Sequence, residues 1–496
     1  MGRLSLAMAL AAVGIPSFAS AQHAGHHESQ VVASPLPSDP YAYGLFQLHN
    51  FEYDSAATAF RAAQQADPAN VMAYWGEAMT YNHPLWAYQD KEAGRAVLSR
   101  LGPDAAARQA KARNPREAMW LDAVEALYGE GSKVDRDRAY HARMTRLFDS
   151  DPADIEARSF YALATLGLAH GGRNTALYMR SAALLEEAFP SHPAHPGLLH
   201  YMIHSYDDPA HAPLGERAAA RYAAVAPKAG HAQHMISHIY LALGRWSEVE
   251  RANLIADSVV DEQRKAGGRP PAECGHYNEW LIYALDQQGK DSADRVEACR
   301  VQAIDMMPQS PANVLGGGRD LFNNWAGLAV RHGVETGRWP SESDVPRGAG
   351  NAIGRMDLAY GRLLAARRDP AAARAALAEM KALRTTILAA MPTERPDDHE
   401  SAPWLDRAVA QGEAVLALAE GRRDEGLALL RRAAEAETAL PVAFGPPILA
   451  KPGWEMLGDE YLALGRKADA ADAYRRALTA APGRRLSLAG LAKATS

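Results

Sequence analysis

The sequence predicts an all-α protein, a solenoid of stacked antiparallel helix hairpins in one or two segments, and three observations predict it. Ala, Leu, Arg and Glu are abundant while β-branched residues are sparse, a composition that favours helix. At 496 residues the chain is too long for one compact helical core. And one small figure occurs twice: His200, His204 and Tyr206 recur 34 residues on as His234, His238 and Tyr240. A spacing of four stacks two imidazoles on one helical face, with Cβ atoms about 5–6 Å apart, and 34 residues is the length of a repeating helix-turn-helix unit.

Residues 1–21 follow the plan of a secretory leader, with Arg3 as the positive end, an apolar run over 4–15 and a small-residue cleavage site at Ala19-Ser20-Ala21. Cleavage there predicts a mature start at Gln22 and a periplasmic or secreted location. The apolar run is shorter than a bilayer-spanning helix needs, and no later stretch is long and uncharged enough, so no membrane span is expected. Formal net charge is −6, and −7 once Arg3 is removed. No basic patch points to nucleic acid, so none is expected as a partner. Residues 22–40 carry His23, His26 and His27 among Gly, Ser and Pro, with little that packs, and read as a disordered lead-in.

From Tyr41 to residue 307 the chain reads as an N-terminal solenoid. Two stretches break its rhythm. Residues 84–115 suggest a longer connection with its own short helix, and residues 308–351 hold Gly316-Gly317-Gly318, Trp339-Pro340 and Pro346, which predict an irregular connection. Residues 352–496 then read as a second solenoid: an amphipathic hairpin over 352–367 and 371–384, and further pairs over 401–440 and 452–481.

The last pair carries Trp454, Leu457, Gly458, Tyr461, Ala470, Tyr474, Ala477 and Pro482, and the first unit keeps Gly44, Ala56, Phe60, Ala63 and Pro68. Small residues let paired helices approach and large ones fill the space between. At these positions the chain resembles the tetratricopeptide repeat (TPR) family. The segments YNHPLW, HPGLLHYMIHSYDDP and HMISHIYLALGRW are similar to those of a bacterial exported, histidine-rich subset of that family. The resemblance implies a TPR-like solenoid that binds a peptide, protein or small molecule in its groove, and it implies no activity.

In that family the first helix of each unit lines the concave groove, chiefly with positions 2, 5, 9, 12 and 13. Carried over with Pro227 at position 32, this frame puts His200, His204, Asp207 and Asp208 at 5, 9, 12 and 13. With Gly244 as the turn glycine, His231, His234 and His238 fall at 2, 5 and 9; counted from Gly289, His276, Glu279 and Tyr283 take the same places. Three consecutive first helices are thereby expected to turn imidazoles and carboxylates into one groove. Packed helices lie about 8–10 Å apart, so rings from two neighbours can share an ion at ligand distances of about 2.0–2.2 Å.

The expected metal ligands are His200, His204, His234 and His238, with His231, His276, Asp207 and Glu279 as further candidates. Imidazole-rich donors suit Cu, Zn, Fe or Ni rather than Mg or Ca, and Asp207 and Glu279 would complete the coordination or orient a ring. If the protein is an enzyme, a vacant coordination position would activate water or bind dioxygen, which leaves a hydrolase and an oxidoreductase both open. The alternative is a non-catalytic scaffold in which these side chains make the groove polar for a peptide or protein.

A fainter constellation joins His49, Glu77 and His83, with Trp75, Tyr81, Trp86 and Tyr88 as core or ligand wall. Tyr206 and Tyr240 are expected in the core, and His192, His195 and His211 to shape loops. Cys274 and Cys299 either pair across a hairpin or stay free. No HExxH zinc-peptidase motif, GxxxxGK[ST] phosphate loop or GxSxG elbow occurs.

Overall fold

The computed structural model describes residues 36–307, 321–346, 350–391, 398–443 and 445–496. The leader over 1–21, the histidines at 23, 26 and 27 and the three glycines at 316–318 lie outside them.

Twenty-three α-helices occur among the described residues, and nearly all pack as successive antiparallel pairs. α1 (Pro40–His49) pairs with α2 (Tyr53–Ala66), and α3 (Val71–Met79) with α4 (Lys91–Leu101), followed by the short α5 (Ala105–Gln109). Next come α6 (Pro115–Leu127) with α7 (Lys133–Ser150), α8 (Ile155–Leu166) with α9 (Thr175–Ala188), α10 (Pro196–Tyr206) with α11 (Ala212–Val225), and α12 (Gly230–Ala242) with α13 (Trp246–Ala266). α14 (His276–Gln287) and α15 (Ala293–Asp305) both pack on α16 (Phe322–Thr336). The stack continues as α17 (Ala352–Ala365) with α18 (Pro370–Ala390), α19 (Asp398–Ala419) with α20 (Arg423–Thr438), α21 (Gly453–Ala463) with α22 (Lys467–Ala480), and ends in α23 (Arg485–Thr495).

Local chemistry sets the helix ends. Asp39, Asn114, Asp154 and Asn174 each accept a first-turn backbone N–H, and Pro40, Pro115 and Pro196 open helices where their missing N–H costs nothing. Gly244 ends the α12 turn at φ +69°, a left-handed conformation that a side chain disfavours. A Cβ at Gly244 would also strike the backbone of Pro482 and Gly483.

The 308–351 segment differs from the irregular connection expected. Its breakers bracket a fifteen-residue helix, α16, which buries Phe322 and Trp325 and carries the stack on from α14 to α17. Residues 84–115 likewise hold two helices, α4 and α5, after a two-residue antiparallel pairing of β1 (Asn82–His83) with β2 (Tyr88–Gln89).

The solenoid curls so that distant elements touch. α1 packs against α10, and the C-terminal arm returns to the middle of the chain, where Trp246 Nε1 donates to the Gly483 carbonyl at 2.8 Å. Fully buried Arg484 donates to the Tyr283 hydroxyl and to both carboxylate oxygens of Glu455, and pairs with Glu335 at 2.9 Å. A buried guanidinium needs such partners, so this junction is fixed by charge as well as packing.

Candidate metal centre

Two helices supply five of the six clustered imidazoles. α10 starts at Pro196, capped by His195 Nδ1, and its four-residue spacing puts His200 and His204 on one face. α12 packs beside α10 and presents His231, His234 and His238 in the same register one repeat later. His276 opens α14. The faces do not line an open groove. His200 and His234 are fully buried and His204, His231 and His238 nearly so, beneath Phe51 on one side and Trp280 on the other, while His276 is exposed.

The rings sort into two triads, His200 with His204 and His231, and His234 with His238 and His276; within each the ligand atoms lie within 4.8 Å of one another. In the second triad the hydrogen-bond partners assign the tautomers. Asn253 Nδ2 donates to the Val249 carbonyl at 2.8 Å, so its Oδ1 faces His234 Nδ1 at 2.7 Å and must receive that ring's proton. His238 Nδ1 lies 3.0 Å from Asp207 Oδ2 and gives its proton to the carboxylate. Both Nε2 atoms therefore carry lone pairs, and they face each other at 3.1 Å. In the first triad the central ring is assigned in the same way. His200 Nδ1 donates to the His49 carbonyl at 2.6 Å, and its Nε2 meets those of His204 at 3.1 Å and His231 at 3.2 Å.

Electrostatics keep His200, His231, His234 and His238 in the ligating form. Burial, and then the neighbouring His204, hold His200 well below the usual histidine value; burial followed by the nearby imidazoles does the same for His231 and His234. Burial lowers His238 to about 4, against the opposing pull of Asp207. Burial pushes Asp207 up, but the Arg173 charge and the bonds from His204 and His238 outweigh it and hold the carboxyl well below its usual range. Arg173 spans Asp207, Asp208 and the Ser205 carbonyl, which fixes the turn after α10.

A third group, His49, Glu156 and His195, is equally compact but differs in its protons. His195 Nδ1 accepts the Leu198 N–H, so its Nε2 donates to Glu156 at 3.1 Å, while His49 Nε2 donates to the same carboxylate at 2.7 Å. Both rings thus donate ordinary N–H···O bonds to the one carboxylate, and the group needs no ion.

The turn between α1 and α2 covers the first triad. Phe51 sits at φ +56°, its ring 4.3 Å from His200 and 5.5 Å from His231 between centroids, and Glu52 accepts the His231 backbone N–H at 3.2 Å. Trp86, 46% exposed, lies over His231, and Ala87 beside it has φ +48°. Phe51 and Ala87 are the non-glycine residues with positive φ among those described, and strain of this kind concentrates at functional sites. The buried Tyr53 hydroxyl has no hydrogen-bond partner among the described residues, and its ring stacks on His83 at 3.9 Å.

Of the expected ligands, His200, His204, His231, His234, His238 and His276 come together. Asp207 acts from behind, on the Nδ1 side of His238 and 3.6 Å from His204 Nδ1, the orienting role. Glu279 stands outside the converging groups and pairs with Arg331. Glu77 is also displaced from the fainter constellation, buried against Arg61, Arg100 and Gln64. His49 reaches the cluster through its carbonyl, which accepts from His200 Nδ1, whereas His83 packs on Tyr53, Trp86 and Tyr88. His211 binds Asp208, Tyr206 is core, and Trp75 is core, as expected. Cys274 and Cys299 are joined, tying the segment that leads into α14 to α15. Asn253, Arg173, Phe51 and Trp280 carry no sequence signal of their roles. A separate concavity of about 620 Å³ lies in the C-terminal arm, lined by Arg367, Arg368, Arg423 and Lys451 among others and by none of the histidines.

Residues 452–484 match the tetratricopeptide repeat family. No curated protein matches the chain in sequence. Among solved structures it is similar to the Cut9–Hcn1 hetero-tetramer of the APC/C, at 10% identity over 92% of this chain and 76% of that one, with a TM-score of 0.38. It is also similar to a monomeric mutant of IFIT1 with Gppp-AAAA, at 13% identity over 90% and 91%, TM-score 0.38. A third is the P58(IPK) TPR domain, at 12% identity over 91% and 95%, TM-score 0.22.

Proposed function

We propose that the protein is a transition-metal protein whose histidine cluster binds a d-block cation and leaves a coordination position open for water or dioxygen. One observation carries this reading: the Nε2 lone pairs of His234 and His238 face each other at 3.1 Å while both Nδ1 protons are donated elsewhere. Two lone pairs at that range repel unless a cation lies between them. Two ligands of a tetrahedral ion at about 2.0–2.1 Å are about 3.3–3.4 Å apart, close to this separation. Neutral imidazoles suit copper, zinc or iron. Three protein ligands with a fourth place vacant is the arrangement of catalytic rather than structural sites. The joined Cys274 and Cys299 support export to an oxidising compartment.

The test is metal analysis of protein purified without a histidine tag, beside a His204→Ala/His238→Ala variant. Bound copper, zinc or iron in the first and its loss in the second is the expected result; equal, near-zero metal in both overturns the reading.

A second reading, a scaffold for a peptide or protein partner, is favoured by the concavity lined by Lys451, Met456 and Glu460 beside and within the repeat at 452–484. It predicts peptide binding that Arg368→Glu abolishes and His238→Ala leaves intact. Loss of binding in the His238 variant would contradict it.

A further inference from the structure

We infer that this centre holds two transition-metal ions, one in each histidine triad, with Asp207 as the anion common to both. The inference rests on the metal reading above. The six imidazoles divide into two sets with no ring in common, and a further group, His204, Asp207 and His238, draws one ring from each. A single ion binding all six would need every nitrogen within about 2.0–2.2 Å of one point, and the nitrogens do not converge that way. They converge three at a time.

The two sets lie side by side. Ring centroids across the divide are 5.5 Å apart for His204 and His238 and 6.1 Å for His231 and His234. Within the sets, His200 lies 4.9 Å from His204 and 5.0 Å from His231, and His234 lies 5.0 Å from His238 and 4.5 Å from His276. Two dications this close repel, and the site contains a counter-charge. The Asp207 carboxylate pairs with Arg173, and its Oδ2 stands 3.0 Å from His238 Nδ1 and 3.6 Å from His204 Nδ1. It thus makes one ring of each triad a better donor from behind.

Each triad also has its own support. His49 fixes His200 through its carbonyl, and Asn253 fixes His234. The two sites should therefore fail separately when the ring each support holds is removed, and together when Asp207 is changed.

The experiment titrates metal-free full-length protein with Zn²⁺ by calorimetry and counts retained zinc after desalting. Wild type should bind about two equivalents, and His200→Asn and His234→Asn about one each, while Asp207→Asn weakens both by about 10–100-fold. Circular dichroism melts of each variant check that the fold persists, and the wild-type count alone remains decisive if a variant unfolds. One equivalent in wild type overturns the two-ion inference and leaves the metal reading standing. No binding of zinc, nor of copper or iron in the same titration, overturns both.

Discussion

Asn253 Oδ1 accepts the Nδ1 proton of His234 at 2.7 Å, and its own amide is held in that orientation by the Val249 carbonyl. This one bond decides which nitrogen of the buried ring is left for a ligand. Asn253→Ala removes the acceptor and lets the ring change tautomer. The expected outcome is an affinity for Zn²⁺ at the second triad lower by about 10–100-fold, with the first triad unaffected, measured by competition with a chelator. An unchanged affinity would show that the bond does not prepare the ring.

Metal-free protein should lose stability as pH falls from about 6.5 to about 4. His238 has its folded value lowered to about 4 by burial, below the ordinary 6.5, so in that window the unfolded chain binds a proton that the folded one does not. Stability then rises with pH and levels off above 6.5, and this residue alone contributes about 3 kcal/mol. His200, His231 and His234 are lowered too and act with the same sign. Denaturant unfolding of the apo-protein at pH 7 and pH 5 measures the difference. Equal stability at the two values would contradict burial of neutral rings.

The hairpins were readable because they depend on neighbours in the chain. The unit at 452–484 and the H-x-x-x-H figure on α10 and α12 follow from periods of about four and 34 residues. Contacts that close the solenoid were not readable. His49 meets His200 across 151 residues, and Arg173 reaches Asp207 from a loop whose sequence signals only a turn. α16 was hidden because its flanking Gly and Pro residues suggest a loop, although Phe322 and Trp325 make it core. The expected groove became an interior because the Phe51 turn and Trp280 cover it, and a repeat period carries no information on either.

Ala87→Gly should stabilise the fold. Ala87 holds φ +48°, which places a Cβ too near the following carbonyl, while glycine adopts that conformation freely. A gain of about 0.5–1 kcal/mol is expected, with zinc affinity unchanged, measured by chemical denaturation. A loss of stability would mean that the methyl group makes a packing contact that outweighs the backbone cost.

Reduction of Cys274 and Cys299 should destabilise the chain by about 3 kcal/mol, since their 25-residue separation sets the loop released in the unfolded state. Because Cys274 lies just before His276, the second triad should lose its ion before the first does. Metal counts and melting curves with and without reductant test this. Simultaneous release from both triads would contradict it.

The most direct measurement of the central claim is an anomalous-difference map from crystals of tag-free protein, collected across the absorption edge of the metal found by fluorescence scan. The account predicts a peak within about 2.0–2.2 Å of the Nε2 atoms of His234 and His238. Ordered imidazoles with no anomalous density between them, in protein supplied with copper, zinc and iron, would contradict it.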